Sequence, residues 1–391
     1  MNSHGGQVER PVTVFFLSLP DLRYIFRTAS HVVIEVDMKL HIEWTRSVQV
    51  VALLSLISLL APVGSAFGQA PFYQGKTITL VRGSTPGGIG EMRVRALIPY
   101  LRKHIPGQPT ILIEFMDGGG GRKAANHVFG RSDGLTVGST PGGILASAIL
   151  GEGGVLYDLD KFIFLGSTES ESHYTFLTRR EAGWDSLEKL RSATGVRIGS
   201  HAVGHPIYLT GRFFAYFLSL RSPKFIPSYS SPEQDVAITR GEIDARSEVS
   251  LSIMKRHPEW VEKGMAHLHA VIEVPKGKKI PQFTHLPDIE TFARSEKERS
   301  LVAMFRLLRG AGSPYFVGPG TPKERVQILQ AAFRKAYDDP EFEKEYRKVT
   351  GDDPSPINPE DYQTAIREIP RDPETIELYK KLSGGDPLPN R

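Results

Sequence analysis

The chain has 391 residues and a net charge of +4; 40% of its residues are hydrophobic, 24% are charged and none is cysteine. This composition is typical of a globular protein of about two domains and excludes a disordered or wholly membrane-embedded chain. The basic residues do not cluster among aromatic ones, which argues against a nucleic-acid-binding surface. The lack of cysteine excludes disulfides, thiol catalysis and thiolate metal sites.

The first 70 residues have the pattern of an N-terminal extension followed by a signal peptide. The apolar run from Val50 to Ala61 is too short to span a bilayer but suits a signal-peptide core. Small residues ending at Ala66 and at Ala70 offer two cleavage sites, and cleavage after Ala70 is preferred. We therefore predict translation from Met38, export to the periplasm and removal of this segment, with an uncleaved membrane anchor as the alternative.

Beyond residue 70, short β-rich runs alternate with amphipathic helical patterns, which indicates an α/β protein with mostly parallel sheets. The predicted strands are residues 77–81, 110–114, 135–137, 162–165, 196–198 and 224–227. The predicted crossover helices include residues 94–104 and 206–220. From Pro322 onward the pattern predicts only helices, at residues 323–338, 341–349 and 359–369.

A helical tail of this kind usually packs on a domain that is already built. We therefore expect the chain to leave a first lobe near Ser170, build a second lobe and return near Ala270. The predicted first lobe comprises residues 71–170 and 270–391, and the second comprises residues 171–269. The two crossovers between them would form a hinge.

Five predicted strands end in small, polar, glycine-rich loops. The hexapeptide Gly-Ser-Thr-Pro-Gly-Gly occurs twice, at residues 83–88 and 138–143, and the other loops are 118–121, 166–168 and 199–200. In parallel sheets such loops gather at the carboxyl edge and open onto helix N-termini, whose N–H groups and dipoles favour an anion. A carboxylate ligand is therefore expected, although each loop alone is equally compatible with a turn or helix cap that touches no ligand.

Two charged residues beside these loops are candidates for ligand contacts. Glu91 could accept a hydrogen bond from a ligand hydroxyl or amine, or stabilise the first turn of its own helix. Arg122 could pair with a ligand carboxylate or remain a solvated surface group. The sequence leaves both alternatives open.

Catalytic residue types gather only between Ser200 and His205. This segment does not match Gly-x-Ser-x-Gly, and no carboxylate is placed to orient a histidine. His201 and His205 are four residues apart, but the surrounding glycine and proline favour a loop over a helical metal site. We predict a binding role for this loop, with a capping loop as the alternative, and no catalytic residue, metal or cofactor.

Several short motifs follow one another in a specific order over nearly the whole length beyond residue 70. They are Tyr73-x-Gly75-Lys76-x-Ile78-Thr79-Leu80-Val81, Pro86-Gly87-Gly88 with Glu91, His104-Ile105-Pro106-Gly107-x-Pro109, Met116-Asp117-Gly118-Gly119-Gly120-Gly121 with Ala124-Ala125-Asn126, Asp133-Gly134-x-Thr136, Arg240-Gly241-Glu242-Ile243-Asp244 and Gly318-Pro319-Gly320-Thr321-Pro322. In this order they resemble the periplasmic substrate-binding proteins of tripartite tricarboxylate transporters, also called Bug receptors.

The resemblance implies a Venus-flytrap fold, in which two α/β lobes close on a small organic acid and deliver it to a membrane permease. The ligand residues that it implies in the first lobe are Pro86, Gly87, Gly88, Ile89, Gly90, Glu91, Gly119, Gly120, Gly121, Arg122, Thr140 and Pro141. Those in the second lobe are Ser200, His201, Tyr229 and Ser230. This chain departs from the family pattern at Gly90-Glu91, where Thr-Asp is usual, and at Asp117-Gly118, where Pro-Gly is usual.

The sequence thus predicts an exported, monomeric receptor that captures a small carboxylate-bearing molecule for a tripartite-type permease and catalyses nothing. Two alternatives remain open. One is a sensor that passes the closed state to a membrane receptor, and the other is an exported α/β hydrolase that uses the loop from Ser200 to His205.

Overall fold

The computed structural model describes residues 70–203 and 205–391. Its strands are β1 (Thr77–Arg82), β2 (Thr110–Phe115), β3 (Thr136–Ser139), β4 (Ile163–Gly166), β5 (Tyr174–Arg179), β6 (Arg197–Gly199), β7 (Lys224–Ile226), β8 (Ala245–Val249), β9 (Ala266–Ile272) and β10 (Tyr315–Val317). The predicted start at Met38, the signal-peptide core and the cleavage site at Ala66 lie outside the described residues.

The helices alternate with most of the strands, as the sequence predicts, but β5 follows β4 without a helix between them. They are α1 (Ile89–His104), α2 (Arg122–Phe129), α3 (Gly143–Ile149), α4 (Leu187–Ser192), α5 (Pro206–Phe217), α6 (Ser231–Thr239), α7 (Ser250–Arg256), α8 (Pro258–Glu262), α9 (Glu296–Gly310), α10 (Lys323–Tyr337), α11 (Pro340–Thr350), α12 (Pro359–Glu368) and α13 (Pro373–Ser383). No helix among the described residues is long and apolar enough to cross a membrane.

The strands form two five-stranded mixed sheets, ordered β2-β1-β3-β10-β4 and β7-β6-β8-β5-β9. The predicted α/β fold is confirmed. The strands that precede the glycine-rich loops at residues 83–88, 118–121 and 138–143 are parallel to one another, and so are β6, β7 and β8. However, β10 is antiparallel to β3 and β4, and β5 is antiparallel to β8 and β9, so the sheets are less parallel than expected.

These antiparallel strands mark the two points where the chain passes between the sheets. Because β3 and β4 are both antiparallel to β10, they run in the same direction, and the chain leaves the first sheet at its carboxyl edge. The next strand, β5, is antiparallel to β8. It therefore begins at the carboxyl edge of the second sheet, and the chain enters that sheet there. The return connects the same two edges, because β9 ends at the carboxyl edge of the second sheet and β10 begins at the carboxyl edge of the first. Both crossovers thus connect the loop-bearing edges, where α/β proteins bind ligands.

One core of buried residues extends from the first sheet to the second, and each sheet has a further cluster of its own. On the first sheet, Tyr100 of α1 meets Phe342 of α11 at 5.7 Å between ring centroids. Behind the second sheet, Phe213 of α5 packs on Phe305 of α9 at 4.9 Å and on Tyr379 of α13 at 6.2 Å. Helices late in the chain therefore contribute to the core around α5.

The predicted lobe boundaries, 71–170 and 270–391 for one lobe and 171–269 for the other, stay a prediction. The first sheet takes its strands from residues 77–166 and 315–317, and the second from residues 174–272. However, α9 and α13, which belong to the predicted first lobe, pack against α5, which belongs to the predicted second lobe.

Candidate functional site

Three of the glycine-rich loops meet at the carboxyl edge of the first sheet. The Gly83 N–H donates to the Ser139 carbonyl at 2.9 Å, which joins the loop after β1 to the loop after β3. A Cβ on Gly83 would lie 2.9 Å from Thr140 Cγ2 and 3.0 Å from Gly121 Cα. Glycine is therefore required here for the three loops to touch.

The loop from Gly118 to Gly121 has a backbone that only glycine adopts readily. Its four φ angles are 134°, 58°, 63° and 98° in chain order. A Cβ on Gly121 would lie 3.2 Å from both Pro141 and Ile144, so the chain passes close over the start of α3. The predicted residues Gly119 to Gly121 and Pro141 are thus neighbours.

Glu91 stabilises the first turn of its own helix, which is one of the two alternatives left open by the sequence. Its carboxylate accepts hydrogen bonds from the Gly87 N–H and from Arg95 Nε, each at 2.6 Å. The Gly87 hydrogen bond and then Arg95 lower the pKa of Glu91. The carboxylate therefore already neutralises part of the positive end of the α1 dipole, while the preceding residues from Pro86 to Ile89 are exposed.

Arg122 and Thr140 have different surroundings. Arg122 Nη1 donates to Ser147 Oγ at 3.0 Å and pairs with Glu152, which ties the start of α2 to the end of α3. Its charge is therefore already compensated within the lobe. Thr140 is fully buried, and its hydroxyl has no hydrogen-bond partner among the described residues.

The predicted residues of the second lobe also form a connected group. The Ser200 N–H donates to the Ile226 carbonyl and the Tyr229 N–H donates to the Ser200 carbonyl, both at 3.0 Å. His201 Nε2 is 3.1 Å from Ser231 Oγ, at the start of α6. Ser230 accepts from the Glu233 N–H in a capping box. The loops after β6 and β7 are therefore held together beside a helix N-terminus.

The histidines of this loop cap and stack. Their rings are 4.0 Å apart and nearly parallel, and His205 Nδ1 accepts from the Ile207 N–H at the start of α5. Burial lowers the pKa of His201. For His205, burial is the largest cause and the charges of His201 and Arg309 add to it, so that its pKa falls to about 4. Both rings are therefore neutral at pH 7.

Ser200 lacks the environment of a nucleophile. Its hydroxyl is fully buried and lies 3.5 Å from the Ile226 carbonyl. The hydrogen bonds of the two histidines go to Ser231 and Ile207 instead. The structure describes this segment except for Gly204. Among its described residues, no serine–histidine pair is formed.

Sequence reasoning missed Arg82, which is 4% exposed at the end of β1, directly before the first glycine-rich loop. An arginine at the end of an otherwise apolar strand was the available signal. It also missed a cavity of about 730 Å³ between α5, β7 and residues 385–391, which no predicted ligand residue lines.

Neither a family model nor a curated protein matches this sequence. Among solved structures, a ligand-free TctC solute-binding protein from Polaromonas matches with a TM-score of 0.59 at 17% identity, over 79% of this chain and 98% of that chain. The chain has the fold of that solute-binding protein. The periplasmic binding protein BugD matches with a TM-score of 0.50 at 18% identity, over 79% of this chain and 98% of that chain. The resemblance indicated by the motif order is thus confirmed at the level of the fold.

Proposed function

We propose that the protein is an exported solute-binding receptor that captures a small carboxylate-bearing molecule between its two lobes, for a permease of the tripartite tricarboxylate type. The observation that carries this proposal is the meeting of three glycine-rich loops, around Gly83, Gly121 and Thr140, at an edge that both crossovers join to the second sheet. The fold shared with TctC and BugD supports it.

The proposed mechanism is capture by lobe closure. Backbone N–H groups of the glycine loops and hydroxyls from both lobes would replace water around the ligand carboxylate, because glycine lets the backbone approach closely. The group around Ser200 and Tyr229 would complete the site from the second lobe. The ligand would then select the closed state by bending the two crossovers.

Binding without catalysis is the version that the site geometry favours. The Ser200 hydroxyl contacts neither His201 nor His205, which counts against the hydrolase alternative. A periplasmic location and a monomeric state belong to the same proposal, and the printed description of BugD as a periplasmic binding protein supports the first.

A thermal-shift screen of the purified exported protein tests the proposal. Malonate, succinate, adipate, citrate and benzoate are compared with neutral succinamide at equal ionic strength. A ligand that binds only the folded state raises the melting temperature, so we expect a saturable rise with at least one acid and none with succinamide. A rise with no acid would contradict carboxylate capture, and hydrolysis of an ester analogue would revive the enzyme alternative.

A further inference from the structure

The buried arginines of this protein are not equivalent. Counted as whole residues, backbone included, four arginines are less than 9% exposed among the described residues: Arg82, Arg212, Arg246 and Arg306. Arg246 and Arg306 each pair with two carboxylates. Arg212 donates to three backbone carbonyls near the end of α13. Arg82 has neither kind of partner.

Two neutral hydroxyls hold the Arg82 guanidinium. Nε donates to Ser84 Oγ at 3.2 Å and Nη1 donates to Ser139 Oγ at 3.0 Å. Nη2 makes no hydrogen bond within the described part of the chain, and no carboxylate of that part lies within 4 Å of the group. Ser84 belongs to the first glycine-rich loop and Ser139 ends β3, so the guanidinium lies at the proposed binding edge.

Gly90 leaves the space that the guanidinium occupies. A Cβ on Gly90 would lie 1.8 Å from Arg82 Nη2 and 2.7 Å from Cζ. No side chain fits there without moving the arginine. Even the Cβ of an alanine or threonine at position 90 is therefore incompatible with the observed position of Arg82.

The electrostatic surroundings leave a positive charge uncompensated. Burial lowers the pKa of Arg82. Tyr315 and Glu169 oppose this shift, whereas the charge of Arg93 adds to it. Glu169 is itself paired with Arg93, and Glu91 is bonded to Gly87 and Arg95. The guanidinium also lies under the first turn of the 16-residue helix α1, whose dipole is positive there. An unpaired buried charge is costly, and an anion would relieve that cost.

We propose that the Arg82 guanidinium binds the carboxylate of the ligand in the first lobe, with Ser84 and Ser139 orienting it. This inference rests on the proposed receptor function and deepens it. A guanidinium presents paired donors that match the two oxygens of a planar carboxylate, so the site would prefer an acid to its amide. Glycine at position 90 is then a requirement of recognition.

Isothermal titration calorimetry on the exported protein tests this assignment with succinate and its neutral diamide, succinamide. Arg82→Met keeps the bulk of the side chain but removes the charge, and we expect its Kd for succinate to rise about 10- to 100-fold. The preference for succinate over succinamide should shrink as well, which a merely structural role would not cause. Arg102→Met, at the exposed end of α1, serves as the matched control and should bind like wild type.

Gly90→Ala tests the same contact without touching the charge. Its methyl group would displace the guanidinium, so we expect a loss of affinity close to that of Arg82→Met. Unchanged succinate affinity and unchanged preference in both variants would overturn the role of Arg82 while leaving the receptor function intact. A wild-type protein that binds none of the acids screened would overturn the receptor function and this inference together.

Discussion

At the residue scale, Arg391 and Glu298 form a buried ion pair that links the last described residue to α9. Arg391 Nε and Nη2 donate to the two Glu298 oxygens at 2.8 and 3.0 Å, and the side chains are only 8% and 5% exposed. Burial acts to raise the pKa of Glu298, but hydrogen bonds from Arg391 and from the Arg294 N–H outweigh it and hold that pKa at about 2. Arg391 therefore supplies the positive charge that compensates this buried carboxylate.

We predict that Arg391→Met lowers the free energy of unfolding by about 3 kcal/mol at pH 7, because it leaves a buried carboxylate unpaired. A carboxyl group with a depressed folded-state pKa stabilises above its unfolded pKa of about 4.3 and loses that contribution as the pH falls toward its folded value. The difference between wild type and variant should therefore shrink from pH 5 toward pH 2. Urea denaturation at several pH values measures it.

The matched control for this prediction is an exposed pair. Lys344 and Glu341 form an ion pair on the surface of α11, with both side chains more than 60% exposed. Lys344→Met should change the free energy of unfolding by less than about 1 kcal/mol. Equal effects of the two variants would show that the buried pair has no special role.

At the element scale, the glycine loops differ in how they tolerate substitution. Gly88 has an extended backbone, with φ −88° and ψ 165°, and a Cβ there would meet no atom within 4 Å. Gly120 is equally open but has a φ of 63°, which is strained for other residues. A substitution at Gly88 therefore tests ligand access without the added cost of backbone strain.

We predict that Gly88→Trp abolishes ligand binding and leaves the melting temperature of the ligand-free protein unchanged. The indole would occupy the space in front of the α1 N-terminus. Gly88→Ala is the control and should keep most of the affinity. Titration calorimetry and thermal unfolding of both variants provide the measurement, and normal binding by Gly88→Trp would place the ligand elsewhere.

The strands before the glycine loops were predictable because each is an apolar run that ends in turn residues. In contrast, β5, β8, β9 and β10 were not predicted. The sequence of β8, Ala-Arg-Ser-Glu-Val, places two charges in a buried strand. Those charges pair with each other, and Asp235 and Arg256 complete the network. The compensation comes from α6 and α7, so a reading of the strand alone does not reveal it.

At the scale of the whole molecule, the proposed function requires the two lobes to move. Both crossovers join the same edges, so a bend in them would open or close the space between the loops around Gly121 and those around Ser200. We predict that a saturating ligand lowers the radius of gyration measured by small-angle X-ray scattering. Saturable binding with an unchanged radius would contradict capture by lobe closure.

By itself, the sequence determined the α/β class, the glycine loops and the likeness to a known receptor fold, because periodicity and turn chemistry are local properties. Only the tertiary structure decided which charged side chains are paired and which are left without a partner of opposite charge. Glu91 and Arg122 are occupied by partners within their own lobe, whereas Arg82 is buried without a carboxylate. The pairing of a charge depends on groups that the fold brings together from distant parts of the chain, and no local pattern records it.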